Sequence, residues 1–104
     1  MVTIDRSEII VEADKDGNVS NLNELTMATV SVAYGTEDAT GECTYSWVTS
    51  SEDDALGDSS SNSTYFTELA SPSATATCTV TLPNDETRTI SFTVKKRQIT
   101  MTTV

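Results

Sequence analysis

The chain has 104 residues, 37% of them hydrophobic and 6% aromatic, with 16 acidic against 6 basic side chains and a net charge of −10. That length suits one domain with one core. Histidine is absent, which excludes a self-contained histidine-based enzyme. The acidic excess repels phosphate backbones and anionic membrane surfaces, so neither a nucleic-acid partner nor membrane insertion is expected. No apolar run approaches the roughly 18–20 residues that span a bilayer. Asp5, Arg6 and Glu8 interrupt the first apolar stretch, which does not fit a secretory signal.

Thirteen Ser and nineteen Thr, with only two Pro and four Gly, favour strands and polar loops over helices. Apolar and polar residues alternate with period two from end to end. Thr3 and Ile4 form a first short strand piece, and Ile9-Ile10-Val11 a second. Asp14-Lys15-Asp16-Gly17-Asn18 is a turn, with Gly17 at a positive φ. Leu25 to Tyr34 reads as a strand with Val30, Val32 and Tyr34 on one face; Gly35 to Gly41 is a polar connection. Glu42 to Thr49 places Cys43, Tyr45 and Trp47 together on the core face. Ser50 to Ser63 is a long acidic loop carrying Glu52, Asp53, Asp54 and Asp58, all expected to be solvated.

Thr64 to Leu69 forms a short strand with Tyr65 or Phe66 turned inward. From Ala74 to Leu82, Ala76, Cys78, Val80 and Leu82 alternate strictly with Thr. Pro83-Asn84-Asp85-Glu86 makes a hairpin connection. The last clear strand, Thr87 to Lys96, turns Ile90, Phe92 and Val94 inward. Six or seven short strands, each with one apolar face, imply an all-β antiparallel sandwich, a barrel such as an OB-fold being the alternative. The domain is placed at residues 1–98, with 99–104 as a tail or the start of a linker.

Residues that bear chemistry are few. Cys43 and Cys78 both fall on inward positions. A cross-strand bridge between them needs matching register; two small buried thiols are the simpler reading. No base stands near either to activate it. Glu12, Asp14, Asp16, Gly17 and Val19 match part of a calcium loop, but Asn23 occupies the place of its last, bidentate Glu. A turn with solvated carboxylates accounts for the segment. Lys95-Lys96-Arg97 holds half of the positive charge and is expected at a solvated strand end that blocks edge pairing. No catalytic or metal-binding residue is assigned, no cofactor is expected, and binding residues stay unassigned. The loops Ser50–Ser63 and Gly35–Gly41 are the places to look for a contact.

Several of these segments together resemble the immunoglobulin-like modules of bacteriophage and prophage tail proteins. They are Val11-Glu12-Ala13-Asp14-Lys15-Asp16-Gly17-Asn18-Val19, Val32-Ala33-Tyr34-Gly35, Tyr45-Ser46-Trp47, and Phe92-Thr93-Val94-Lys95-Lys96-Arg97-Gln98. The similarity spans roughly residues 4 to 98. It implies an immunoglobulin-like sandwich of about seven strands within a tail-fibre or host-specificity protein of the virion tail. Such a module acts as a spacer or host-surface contact. Its partners would be neighbouring modules of the longer protein and a host-envelope protein or glycan. A bacterial immunoglobulin-like adhesion module of the cell surface is the alternative. The family carries no catalytic residues to transfer.

Overall fold

The computed structural model describes residues 1–98; the expected tail, 99–104, lies outside them. The fold is all-β. Its strands are β1 (Val2–Ile4), β2 (Glu8–Ala13), β3 (Ala28–Tyr34), β4 (Glu37–Asp38), β5 (Thr44–Thr49), β6 (Ala55–Leu56), β7 (Ser63–Thr64), β8 (Phe66–Glu68), β9 (Ser73–Thr81) and β10 (Thr87–Gln98). Among the described residues, the only helical pieces are one α-turn, α1 (Leu22–Leu25), and one 3-10 turn at Thr40–Glu42.

Two four-stranded sheets form the body. In the first, β3 pairs with β1, β4 and β7; in the second the order is β2-β10-β9-β5. β6 and β8 make a separate small ladder. No ladder joins the two larger sheets among the described residues, so they do not close into a barrel. The expectation of a uniformly antiparallel arrangement fails at one edge, where β2 runs parallel to β10 through six register pairs from Thr93↔Glu8 to Gln98↔Ala13. β2 is the first strand of the second sheet in chain order and β10 the last.

The alternation read from the sequence holds where strands are long. On β9, Ala74, Ala76, Cys78 and Val80 are buried, and the intervening Thr side chains form the other face. β10 matches it, with Phe92 and Val94 fully buried. One apolar cluster draws Val30 and Val32 from β3, Trp47 from β5, and Phe92 and Val94 from β10. Phe92 takes Trp47 and Phe66 edge-on, with ring centroids at 5.6 and 5.8 Å, the geometry the ring quadrupoles favour.

Three departures have simple causes. The third strand begins at Ala28 rather than Leu25 because residues 22–25 wind into α1, and the Thr26 hydroxyl donates to the Leu22 carbonyl at 2.7 Å. That hydroxyl also accepts the Phe66 N–H at 2.8 Å, a tertiary bond with no local signature. Tyr34, on the same face as Val30 and Val32, is 46% exposed, at the end of the strand beyond the buried valines. Of the aromatic pair, Phe66 is fully buried, whereas Tyr65 lies over Gly57, where an added Cβ would sit 2.1 Å from the ring.

The turns behave as their residues require. Gly17 has φ 84°. The β9–β10 hairpin closes with Asp85 N–H donating to the Leu82 carbonyl at 2.9 Å and Asp85 itself at φ 68°. Pro83 begins this turn and a left-handed residue ends it, which matches the twist of the flanking strands.

Candidate functional site

The two loops singled out as contact regions lie at opposite ends of the sheets. Tyr34, where the Gly35–Gly41 segment begins, lines a hollow of about 290 Å³ with the hairpin residues Leu82, Asn84 and Glu86. Ser50, where the acidic loop begins, donates its N–H to the Thr75 carbonyl near the start of β9. No single surface unites them.

The Gly35–Gly41 segment is not a free loop. Glu37 and Asp38 pair with the end of β3, and Ala39 is buried. The Asp38 carboxylate accepts the Thr40 hydroxyl at 2.7 Å and the Thr40 N–H at 3.0 Å. These two bonds hold its carboxyl below the ordinary range. The Tyr45 hydroxyl donates to the Thr40 carbonyl at 2.6 Å. Burial, with Cys43 beside it, pushes the Tyr45 phenol up to about 12.

The acidic loop is likewise laced to the body. Ser59 accepts the Trp47 N–H at 2.9 Å, and Ser61 accepts the Trp47 indole N–H at 2.7 Å. Asn62 donates through Nδ2 to the Val30 carbonyl at 3.0 Å, and the Thr64 hydroxyl donates to the Asp58 carbonyl. The expectation that all four carboxylates are solvated fails at Asp54, which is 5% exposed. Its Oδ1 accepts the Ala70 and Ser71 N–H groups at 2.8 and 3.1 Å, while its Oδ2 is buried without a partner. Asp54 thus tethers this loop to the Leu69–Ser73 bend. Glu52, Asp53 and Asp58 remain exposed.

At Glu12 to Asn18 the carboxylates build a turn. The Asp14 Oδ1 accepts the N–H groups of Asp16 and Asn18, both at 2.9 Å, and the Asp14 carbonyl accepts the Gly17 N–H. Glu12 pairs instead with Arg97 at 2.9 Å. The segment's acidic residues are therefore spread over a turn and a strand.

The basic run has a different role from the one expected. β10 is an interior strand of its sheet, so Lys95 to Arg97 do not guard an edge. Lys95 and Arg97 face outward and pair with Glu8 at 3.3 Å and Glu12 at 2.9 Å on β2. Lys96 faces the other way: its Nζ donates to the Gly17 carbonyl at 3.1 Å and the Leu69 carbonyl at 2.9 Å. The sequence carried a signal for this. The period that turns Phe92 and Val94 inward places Lys96 on the same face. Nothing local marked Asp54.

The cysteines do not meet. Trp47, not Cys43, stands opposite Cys78 in the β5–β9 register, and both thiols are free. Cys43 Sγ donates to the Ala39 carbonyl at 3.3 Å. Cys78 is fully buried, and burial pushes its thiol up, away from the reactive thiolate.

An open groove of about 640 Å³ runs along β2, lined among others by Ile10, Glu12, Asp14, Leu25 and Arg97. Ile10 is 54% and Leu25 45% exposed. No helix among the described residues is long and apolar enough to cross a membrane. No protein-family model matches the chain, and no curated protein or solved structure matches it either.

Proposed function

We propose that the chain is a non-enzymatic immunoglobulin-like module of a phage or prophage tail protein, a spacer or host-surface contact within a fibre or host-specificity protein. The observation that carries the reading is the divided leading segment. β1 pairs with β3 in one sheet, and β2 crosses to pair in parallel with the last strand of the other. A chain whose leading segment serves both sheets and whose last strand returns beside it supports the reading as an immunoglobulin-like sandwich. Its order agrees with the motif order in the sequence, from the Asp14–Asn18 turn to the Phe92–Gln98 strand.

Function in such a module comes from rigidity and exposed surface. The laced loops suit a spacer, and the exposed Glu52, Asp53 and Asp58 offer an anionic contact for a neighbouring module or a host-envelope protein or glycan. An adhesion module of the bacterial cell surface is the alternative with the same architecture. It would gain support from an oxidised cysteine pair, but here both thiols are free.

Immunogold labelling with an antibody against the chain tests the reading. Decoration of tails in purified particles is the expected result. Decoration of the envelopes of particle-free cells, with bare particles, would overturn it.

A further inference from the structure

We infer that the open edge of β2 is a docking site for an extended basic strand of another protein, which adds to the second sheet beside β2. The inference goes beyond the tail reading and does not depend on it. β2 ends the order β2-β10-β9-β5, so only one of its sides is paired. The Ser7 carbonyl accepts the Thr93 N–H at 3.0 Å, which fixes the phase of the parallel ladder. Ile9, Val11 and Ala13 turn their backbone groups to β10, while Glu8, Ile10 and Glu12 turn theirs to the open side. At the other end of the sheet, β5 is met by the acidic loop, where Ser59 accepts the Trp47 N–H at 2.9 Å. Nothing among the described residues does this for β2, and the outward N–H and C=O groups of Glu8, Ile10 and Glu12 have no protein partner. Such an edge is a template for a further strand.

Two more observations say what fits there. The groove of about 640 Å³ lies along this same edge, with Ile10 and Leu25 in its lining. Those two side chains are 54% and 45% exposed, so a strand seated in the groove gains apolar contact as well as backbone bonds. The outer face of β2 reads Glu8, Ile10, Glu12, an acidic, apolar, acidic row with period two. Lys95 takes Oε2 of Glu8 and Arg97 takes Oε1 of Glu12, both from the β10 side, which leaves each carboxylate an oxygen for a cation on the open side. The matching strand is therefore basic, apolar, basic on one face. Because the row is symmetric about Ile10, such a strand fits in either direction. A second copy of the chain is a poor occupant. Two β2 edges meeting antiparallel about Ile10 would set Glu8 of each opposite Glu12 of the other, and like charges in opposed positions destabilise the pair. Two chains of net charge −10 also repel. The glutamates thus reject self-pairing and select a cationic strand.

The test adds the peptide Thr-Lys-Val-Ile-Val-Lys-Thr, blocked at both ends, to the whole chain and follows amide hydrogen exchange by NMR. The expected result is saturable binding that weakens with salt and slows exchange of the Ile10 amide, which no carbonyl accepts in the free chain. The same peptide N-methylated on alternate residues is made in both phases. Binding should be lost in the phase that blocks the N–H groups facing β2 and kept in the other. Equal binding in both phases overturns strand addition. Glu8→Gln/Glu12→Gln should weaken the unmodified peptide about three- to tenfold at low salt. Ile10→Pro removes the central donor of the edge without removing a ladder bond, and should abolish binding while thermal melting shows the fold intact. Three outcomes overturn the proposal. One is no saturable binding. A second is binding that leaves Ile10 exchange unchanged and shifts only Glu52, Asp53 and Asp58, which is general attraction to acidic surface. The third is concentration-dependent protection of Ile10 without peptide, which would seat a second copy on the edge instead.

Discussion

Asp14 and Asp54 do the same chemistry in two settings. Each holds two backbone N–H groups on its Oδ1, but Asp14 reaches residues two and four positions ahead, while Asp54 reaches sixteen and seventeen ahead. Asp14 is exposed and Asp54 is 5% exposed. The first closes a turn that the local sequence already favours. The second ties a long loop to a distant bend and is largely shielded from the solvent that could replace the bonds it makes. A carboxylate's contribution thus depends on how far along the chain its donors lie and how dry the site is.

The largest expected effect comes from breaking the buried member. Asp54→Ala should lower the unfolding free energy by about 2–3 kcal/mol, since it strands two N–H groups that a charged acceptor held. Asp54→Asn keeps the accepting oxygen and should lose less. Urea unfolding followed by Trp47 fluorescence reads both, because Trp47 bonds the same loop through Ser59 and Ser61. An Asp54→Ala loss no larger than that of Asp14→Ala would remove the distinction between the two sites.

Lys96 joins the two regions, since one amine donates to the carbonyl of Gly17 and to that of Leu69. Lys96→Met retains an apolar stem and loses both bonds, with an expected destabilisation of about 1–2 kcal/mol. Hydrogen exchange should then quicken in both the 14–18 turn and the 69–73 bend; a response in only one of them would show that they are not coupled through this side chain.

Asp14→Ala is expected to cost about 1 kcal/mol, the ordinary value for exposed turn and capping bonds, and its melting curve provides the check. Tyr45 supplies a short-range bond with a pH readout. Its folded pKa stands at about 12 against an ordinary 10.0, so folding favours the neutral phenol. That contribution is complete below pH 10 and disappears as pH rises towards 12. Absorbance titration should show one late phenol step that Tyr45→Phe removes, and the variant's stability should fall less steeply over that interval.

The smallest effect belongs to the exposed Lys95–Glu8 pair, both of whose side chains are 53% exposed. A double-mutant cycle should give a coupling of about 0.2–1 kcal/mol at low ionic strength and less at high salt. Large coupling that persisted in salt would mark the outer face of this ladder as better shielded than its exposure indicates.

Period, turn chemistry and charge are local quantities, and they made much of this molecule legible beforehand. The burial of Cys78, Val80, Phe92 and Val94 follows from alternation alone, and the turns at Gly17 and Asp85 follow from residues that tolerate a positive φ. The alternation even contained Lys96, although a lysine on an inward position invites no partner until two distant carbonyls are brought to it. Tertiary structure alone decided which strands became neighbours. It placed β2 parallel to β10 and so made β10 interior, which turned a charged strand end into a row of cross-strand contacts. It also selected Asp54 from among four loop carboxylates for burial, because only there do two unpaired N–H groups of the Leu69–Ser73 bend come within reach. Periodicity shows which face of a strand needs covering, but the contacts that cover it lie far along the chain, and their identity depends on the packed whole.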